Sequence, residues 1–111
     1  MSELADQQCT SCRGDEAPFT AEEVQQFLRS VNGWEAVDDH YLEKRWTCKD
    51  FAEAMALANR FGEISEEQGH HPVLSLTWGW IEARIWTHKI DGLTLSDFVL
   101  AARFDRAAGT R

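Results

Sequence analysis

Segments with the two-residue period of a strand come in two adjacent pairs along this 111-residue chain, and each pair follows a stretch of helical spacing. Strands adjacent in sequence are joined by short turns, and short turns leave antiparallel pairing as the ready solution. A last helical stretch closes the chain. The order α-β-β-α-β-β-α therefore predicts an α+β fold. Its form is a two-layer sandwich, a four-stranded mainly antiparallel sheet with three helices on one face. A chain of this length favours one domain around one core.

The element ends are marked by capping chemistry. Thr20 and Glu23 form a capping box, and Phe19 is placed to staple onto Val24. Val24, Phe27, Leu28 and Val31 then repeat on one helical face, with Gly33 as the expected stop. Trp34 to Val37 and Tyr41 to Thr47 read as strands joined through Asp38, Asp39 and His40. In the second of them Leu42, Lys44 and Trp46 share one face. Asp50 and Glu53 repeat the capping pattern before a helix striped with Phe51, Ala54, Met55, Ala58 and Phe61, which runs to Gln68 and stops at Gly69. Val73 to Trp78 and Trp80 to Thr87 form the second strand pair, turning at Gly79. Ile81, Ala83, Ile85 and Thr87 alternate with Trp80, Glu82, Arg84 and Trp86, and His88 falls on the Trp86 side. Asp91-Gly92 marks a turn. Thr94 and Asp97 cap the last helix, with Leu93 placed to staple Phe98.

Composition removes several functions. The formal net charge of -8 argues against a nucleic-acid surface, which needs a basic patch. No apolar run is long enough to span a bilayer. Met1 to Gln8 carries acids where a signal peptide needs basic and then apolar residues, so a cytoplasmic protein is expected. The three cysteines make an odd count, which argues against a disulfide framework. Cys9-Thr10-Ser11-Cys12 has metal or redox spacing, but no second such pair exists to complete a four-ligand zinc site. Residues 1–17 are expected to form a flexible polar leader, with residues 18–108 as the domain.

Chemistry concentrates in the histidines. His70 and His71 are adjacent and precede Pro72, and His88 lies on a later segment. Imidazole titrates near neutrality and can both donate and accept a proton there. Pro72 removes a backbone donor and biases His71 towards extended geometry, so the pair belongs at a rigid junction. His40, in a turn beside two aspartates, fits an ordinary surface histidine. Zinc ligation by Glu66, His70, His71 and His88 is the rival reading. Adjacent histidines on an extended chain point in opposite directions, which makes joint ligation of one ion awkward.

The stretch Glu66, His70-His71-Pro72, Thr87-His88, Gly92-Leu93-Thr94 and Asp97 resembles the pterin-4a-carbinolamine dehydratases. Lys49-Asp50-Phe51, Gly33-Trp34 and Leu100-Ala101 match as well, so the resemblance covers about Phe19 to Asp105 and leaves the cysteine leader outside. It implies dehydration of 4a-hydroxytetrahydrobiopterin to quinonoid dihydropterin and water, recycling the cofactor of aromatic amino acid hydroxylases such as phenylalanine hydroxylase. That reaction moves no electron and needs no strong Lewis acid, so the resemblance implies neither a metal nor an organic cofactor. The implied acid/base pair is His70 and His88, with His71 holding or polarising the substrate. Asp97 would orient a histidine or the substrate, or serve only as a capping residue. Glu66 would tune a histidine or touch the pterin, or stand as a solvated last-turn residue. Trp78 stands where the family commonly has tyrosine, as part of the substrate pocket, and Leu74 where an aromatic is frequent. The family forms homodimers and homotetramers, and the mixed face of Trp80, Glu82, Arg84 and Trp86 is a candidate oligomer surface. Some members also act as dimerization cofactors of a transcription factor, which makes a protein-interaction module the alternative function. A metal or redox sensor built on Cys9 and Cys12 is a third.

Overall fold

The computed structural model describes residues 4–9 and 17–109. Its helices are α1 (Ala21–Leu28), α2 (Phe51–Gln68) and α3 (Leu95–Ala108), and its strands are β1 (Glu35–Val37), β2 (Tyr41–Thr47), β3 (Val73–Thr77) and β4 (Trp80–Ile85). All strand pairs are antiparallel, in the order β1-β2-β4-β3. This is the expected α+β sandwich with the expected element order.

The alternation read in the strands decides which face the helices cover. Leu42 and Trp46 of β2 and Ile81, Ala83 and Ile85 of β4 are buried on one face. They pack with Ala54, Leu57 and Phe61 of α2 and with Phe98, Leu100, Ala101 and Phe104 of α3. Aromatic rings run through this layer: Trp34 meets Trp46 edge-on at 5.4 Å, and Phe61 stacks on Phe104 at 4.2 Å. Lys44 shares the buried face of β2. Its Nζ reaches Asp105 Oδ1 at 2.7 Å and the Asn32 carbonyl at 2.6 Å, while Trp34 Nε1 donates to Asp105 Oδ2 at 3.0 Å. An inward lysine is tolerated because its charge is paired at the end of its apolar stem.

The caps form as the sequence indicates. Thr20 and Glu23 make the reciprocal capping box of α1, and Asp50 accepts from the Glu53 backbone at α2. One expected stop is displaced. α1 ends at Leu28, not at Gly33, because residues 30 and 31 close short turns onto Phe27 and Leu28. Gly33 instead takes a left-handed φ of 80°, where the chain turns into β1 beside the Lys44 stem. Strand ends are also shorter than the period suggests: β4 stops at Ile85, and Trp78 belongs to the turn.

Within the stretch expected as a flexible leader, residues 4–9 lie against α3. Leu4–Asp6 forms one 3-10 turn packed on α3, with Ala5 buried. Arg103 donates through Nε and Nη2 to the Gln7 carbonyl at 3.1 and 2.6 Å, and Arg106 pairs with Asp6 at 2.9 Å. A polar stretch can order in this way when a few apolar atoms and fixed donors meet its backbone. Residues 1–3 and 10–16, including Cys12 and with it the C-T-S-C spacing, lie outside the described residues. No helix among the described residues is long and apolar enough to cross a membrane.

Candidate active site

The end of α2 sets the first part of the site. Gly69 follows the helix in the left-handed conformation, φ 63° and ψ 29°. Its N–H returns to the Glu66 carbonyl, and the His70 N–H reaches the Ser65 carbonyl at 3.2 Å. This double closure fixes the direction in which the chain leaves the helix. His70 and His71 emerge from it on opposite sides, as an extended pair before proline must.

His70 turns inward. Its side chain is 13% exposed, and its Nε2 lies 2.6 Å from Oδ1 of Asp97, which is fully buried in the first turn of α3. The second oxygen of Asp97 accepts from Thr87 Oγ1 at 2.8 Å and from the Thr94 N–H at 2.8 Å. Thr87 and Thr94 hydroxyls also meet at 3.0 Å. One carboxylate thus receives three donors and joins the end of α2, the start of α3 and the segment after β4. A carboxylate in this setting accepts, so Nε2 of His70 carries the ring proton and Nδ1 is left as the ring's other nitrogen.

His71 turns outward. Its Nε2 meets Glu66 Oε2 at 2.5 Å, with both side chains exposed. The two histidines therefore belong to separate pairs. Among the described residues, no three His, Cys, Asp or Glu side chains converge as a metal ion needs.

His88 follows Thr87 directly. Thr87 closes an isolated bridge with Gly92, and residues 88–91 form the turn between them. The bridge needs Gly92: a Cβ there would lie 2.7 Å from Cβ of Pro18. The His88 ring stacks on Trp86 at 4.3 Å with planes 13° apart. The side of the sheet assigned to His88 by alternation is the side it takes, although β4 has already ended. Trp86 in turn meets Tyr41 and His40, and His40 Nε2 holds Asp91 Oδ1 at 2.6 Å across the same turn. His40 thus braces the turn that carries His88.

Strand register gathers these groups at one end of the sheet. Val73 opposes Arg84, so the start of β3 lies beside the end of β4. His70, His71, Thr87, His88 and Asp97 all belong to that end. Trp78 does not. It sits in the β3–β4 turn at the opposite end of β3, with 68% of its surface exposed. Within one chain the hairpin length separates it from the histidines. Leu74 is partly buried on the core side of β3, a packing position.

Thr87 and Thr94 were not singled out as functional residues in the sequence. The signal for Thr87 was present: a hydroxyl on the buried face of an otherwise apolar alternation requires a partner. Asp97 explains itself locally as the third residue of a capped helix, and its contact with a histidine came from the resemblance alone. Its two oxygens divide the work, Oδ2 capping α3 and Oδ1 holding His70.

Comparison with known proteins gives the family and agrees with the fold. The sequence model of the family described as pterin 4 alpha carbinolamine dehydratase matches residues 17–107. A protein of Rubrobacter xylanophilus, provisionally named a pterin-4-alpha-carbinolamine dehydratase, is 48% identical over 106 residues, 96% of this chain and 99% of its own. One of Alkaliphilus metalliredigens with the same provisional name is 37% identical over 96% of each chain. Among solved structures, a transcriptional coactivator/pterin dehydratase from Brucella melitensis superposes with a TM-score of 0.79 at 26% identity, over 84% of this chain and all of that one. The matched region spans every element that builds the His70–Asp97–Thr87 network, and the chain belongs to the pterin 4 alpha carbinolamine dehydratase family.

Proposed function

We propose that the chain dehydrates pterin-4a-carbinolamine, 4a-hydroxytetrahydrobiopterin, to quinonoid dihydropterin and water. The observation that carries this reading is the buried Asp97 carboxylate, which ties His70 to the segment bearing His88. The reaction is redox-neutral. A proton goes to the hydroxyl on carbon 4a, the C4a–O bond breaks, and water leaves. The proton on N5 is removed, and its bonding pair becomes the second bond between N5 and C4a. Two imidazoles suffice for both transfers near neutral pH. The carboxylate behind His70 stabilises the imidazolium formed when that ring takes a proton, so His70 is the base. His88, held by the Trp86 ring, is the acid. His71 contacts the substrate from the outer side of the same junction. The product feeds an aromatic amino acid hydroxylase, for example one acting on phenylalanine, through reduction back to the tetrahydro form.

The test is dehydration of freshly generated 4a-hydroxytetrahydropterin after subtraction of the uncatalysed rate. His70→Ala and His88→Ala should each lower turnover by roughly two orders of magnitude, the scale of lost acid/base catalysis. Wild-type turnover in both variants would remove them from the mechanism.

A second reading is an interaction module, alone or alongside catalysis. It is favoured by the outer face of the sheet, where half-buried Tyr41, Trp80 and Trp86 stand among Glu43, Arg45 and Arg84, and by the coactivator function in the name of the Brucella protein. Assembly into homodimers or homotetramers belongs to this proposal too. Sedimentation of wild type and of Trp80→Ala tests whether that face carries the assembly.

A further inference from the structure

We propose that residues Leu4–Cys9 form a strap that positions the His70–Asp97 pair, with Gln68 and Cys9 as its positioning residues. The proposal rests on the dehydratase reading for its kinetic readout alone.

The hydrogen bond between His70 and Asp97 spans two elements. His70 hangs from the C-terminal end of α2, and Asp97 sits in the first turn of α3. A 2.6 Å contact between them requires the two helix ends to keep a fixed separation. The strap touches both ends beside the pair. Gln68, two residues before His70, accepts from the Cys9 N–H through Oε1 at 2.9 Å, and its Nε2 donates to Gln8 Oε1 at 3.1 Å. Cys9 Sγ donates to the carbonyl of Ser96, the residue before Asp97, at 3.4 Å. The path from Gln68 to Ser96 therefore runs through a single residue.

Gln68 and Ser96 are 8% and 5% exposed, so water is a poor substitute for these partners. Farther along, Arg103 grips the Gln7 carbonyl and approaches Glu67 at 3.7 Å, which fastens the strap to both helices again. Burial pushes the Cys9 thiol up to about 11, so it remains a protonated donor at neutral pH. Losing the strap loosens the join between α2 and α3 at the point where ring and carboxylate meet. A small misplacement of a catalytic group is enough to lower turnover.

The experiment uses full-length Gln68→Ala and Cys9→Val, with Cys9→Ser as the conservative variant that keeps a donor for Ser96. Proton–nitrogen NMR of the His70 ring reads the Nε2–H held by Asp97. In Gln68→Ala and Cys9→Val that proton should exchange faster and lose its wild-type shift, and in Cys9→Ser it should return. Turnover number should fall roughly tenfold in the first two with KM little changed. An unaltered His70 ring signal in both variants would reduce the strap to a stabilising contact and overturn the proposal. Should Gln68→Ala fail to fold, Cys9→Val against Cys9→Ser decides the matter. A ring signal that responds in a protein with no dehydratase activity would uphold the strap and sink the dehydratase reading instead.

Discussion

Oδ1 of Asp97 holds Nε2 of His70 at 2.6 Å while Oδ2 of the same carboxylate caps α3 through the Thr94 N–H. A helix cap and a histidine anchor are two separate duties for one aspartate. Here they are simultaneous, because the carboxylate has two acceptors and α3 begins where the chain leaving α2 passes. The helix start thus has a chemical use: it delivers a fixed, buried acceptor to a ring that otherwise has rotational freedom.

Asp97→Asn should separate the two duties. Asparagine retains one carbonyl oxygen, which can still serve the Thr94 N–H. Its amide then presents N–H to His70 Nε2, which forces the ring proton onto Nδ1. Turnover should drop by roughly two to four orders of magnitude, as when a histidine is locked in the wrong tautomer. The thermal midpoint should move by only a few degrees, since the cap survives at about 1 kcal/mol. Asp97→Ala should lose both activity and cap. The measurement is the dehydration assay beside calorimetry. Near-wild-type turnover in Asp97→Asn would show that the carboxylate does not govern the His70 ring.

The outward pair should behave differently. His71 and Glu66 are both exposed, and an exposed ion pair contributes little. Glu66→Gln should change stability by less than about 0.5 kcal/mol in denaturant unfolding. A loss of several times that would mean Glu66 is covered in the working protein, for example by a second copy of the chain.

The fold was legible where local chemistry and periodicity agree. The bounds of β2, the caps at Thr20 and Asp50, and the Gly69 stop all follow from residues within a few positions of each other. The site was legible in part. His70, His71 and His88 stand out as residue types, and strand pairing then brings them to one end of the sheet. Contacts between distant segments were not legible. The His70–Asp97 contact joins residues 27 apart, and Cys9 meets Gln68 across 59. No local pattern encodes such a meeting, and a polar leader with two glutamines reads as solvated until α3 is placed beneath it. Trp78 stands apart for the converse reason. The resemblance put it in the substrate pocket, and the length of β3 sets it away from the histidines of its own chain.

Asp105 should matter for stability more than for catalysis. It is the shared partner of Lys44 Nζ and Trp34 Nε1, and both Lys44 and Asp105 are largely buried. Asp105→Ala leaves an uncompensated ammonium on the core side of the sheet. The expected cost is about 3–5 kcal/mol in denaturant unfolding, the range for breaking one partner of a buried pair. Lys44→Met with Asp105→Leu should recover much of that loss. A cost below about 1 kcal/mol for Asp105→Ala would show that the Lys44 ammonium reaches water without this partner.

The Cys9 thiol gives the chain a defined alkaline limit. Burial raises it from 9.0 to about 11, with Arg103 opposing the shift and Asp97 adding to it. The folded form thus holds its proton more tightly than the unfolded form does. The sign follows: the contribution of this group to strap attachment is complete below pH 9, shrinks between 9 and 11, and is lost above 11. Deprotonation also removes the donor that Cys9 Sγ offers to the Ser96 carbonyl. Two measurements check this. Alkylation of Cys9 by iodoacetamide, followed by site-resolved mass spectrometry, should stay slow through pH 9 and accelerate only as pH 11 is approached. Hydrogen exchange at Gln7 to Cys9 should show no loss of protection up to pH 9, after allowance for the intrinsic pH dependence of exchange, and a release above it. Rapid alkylation of Cys9 at neutral pH would mean that the thiol is not buried against α3, and the attachment of the segment would have to be drawn differently.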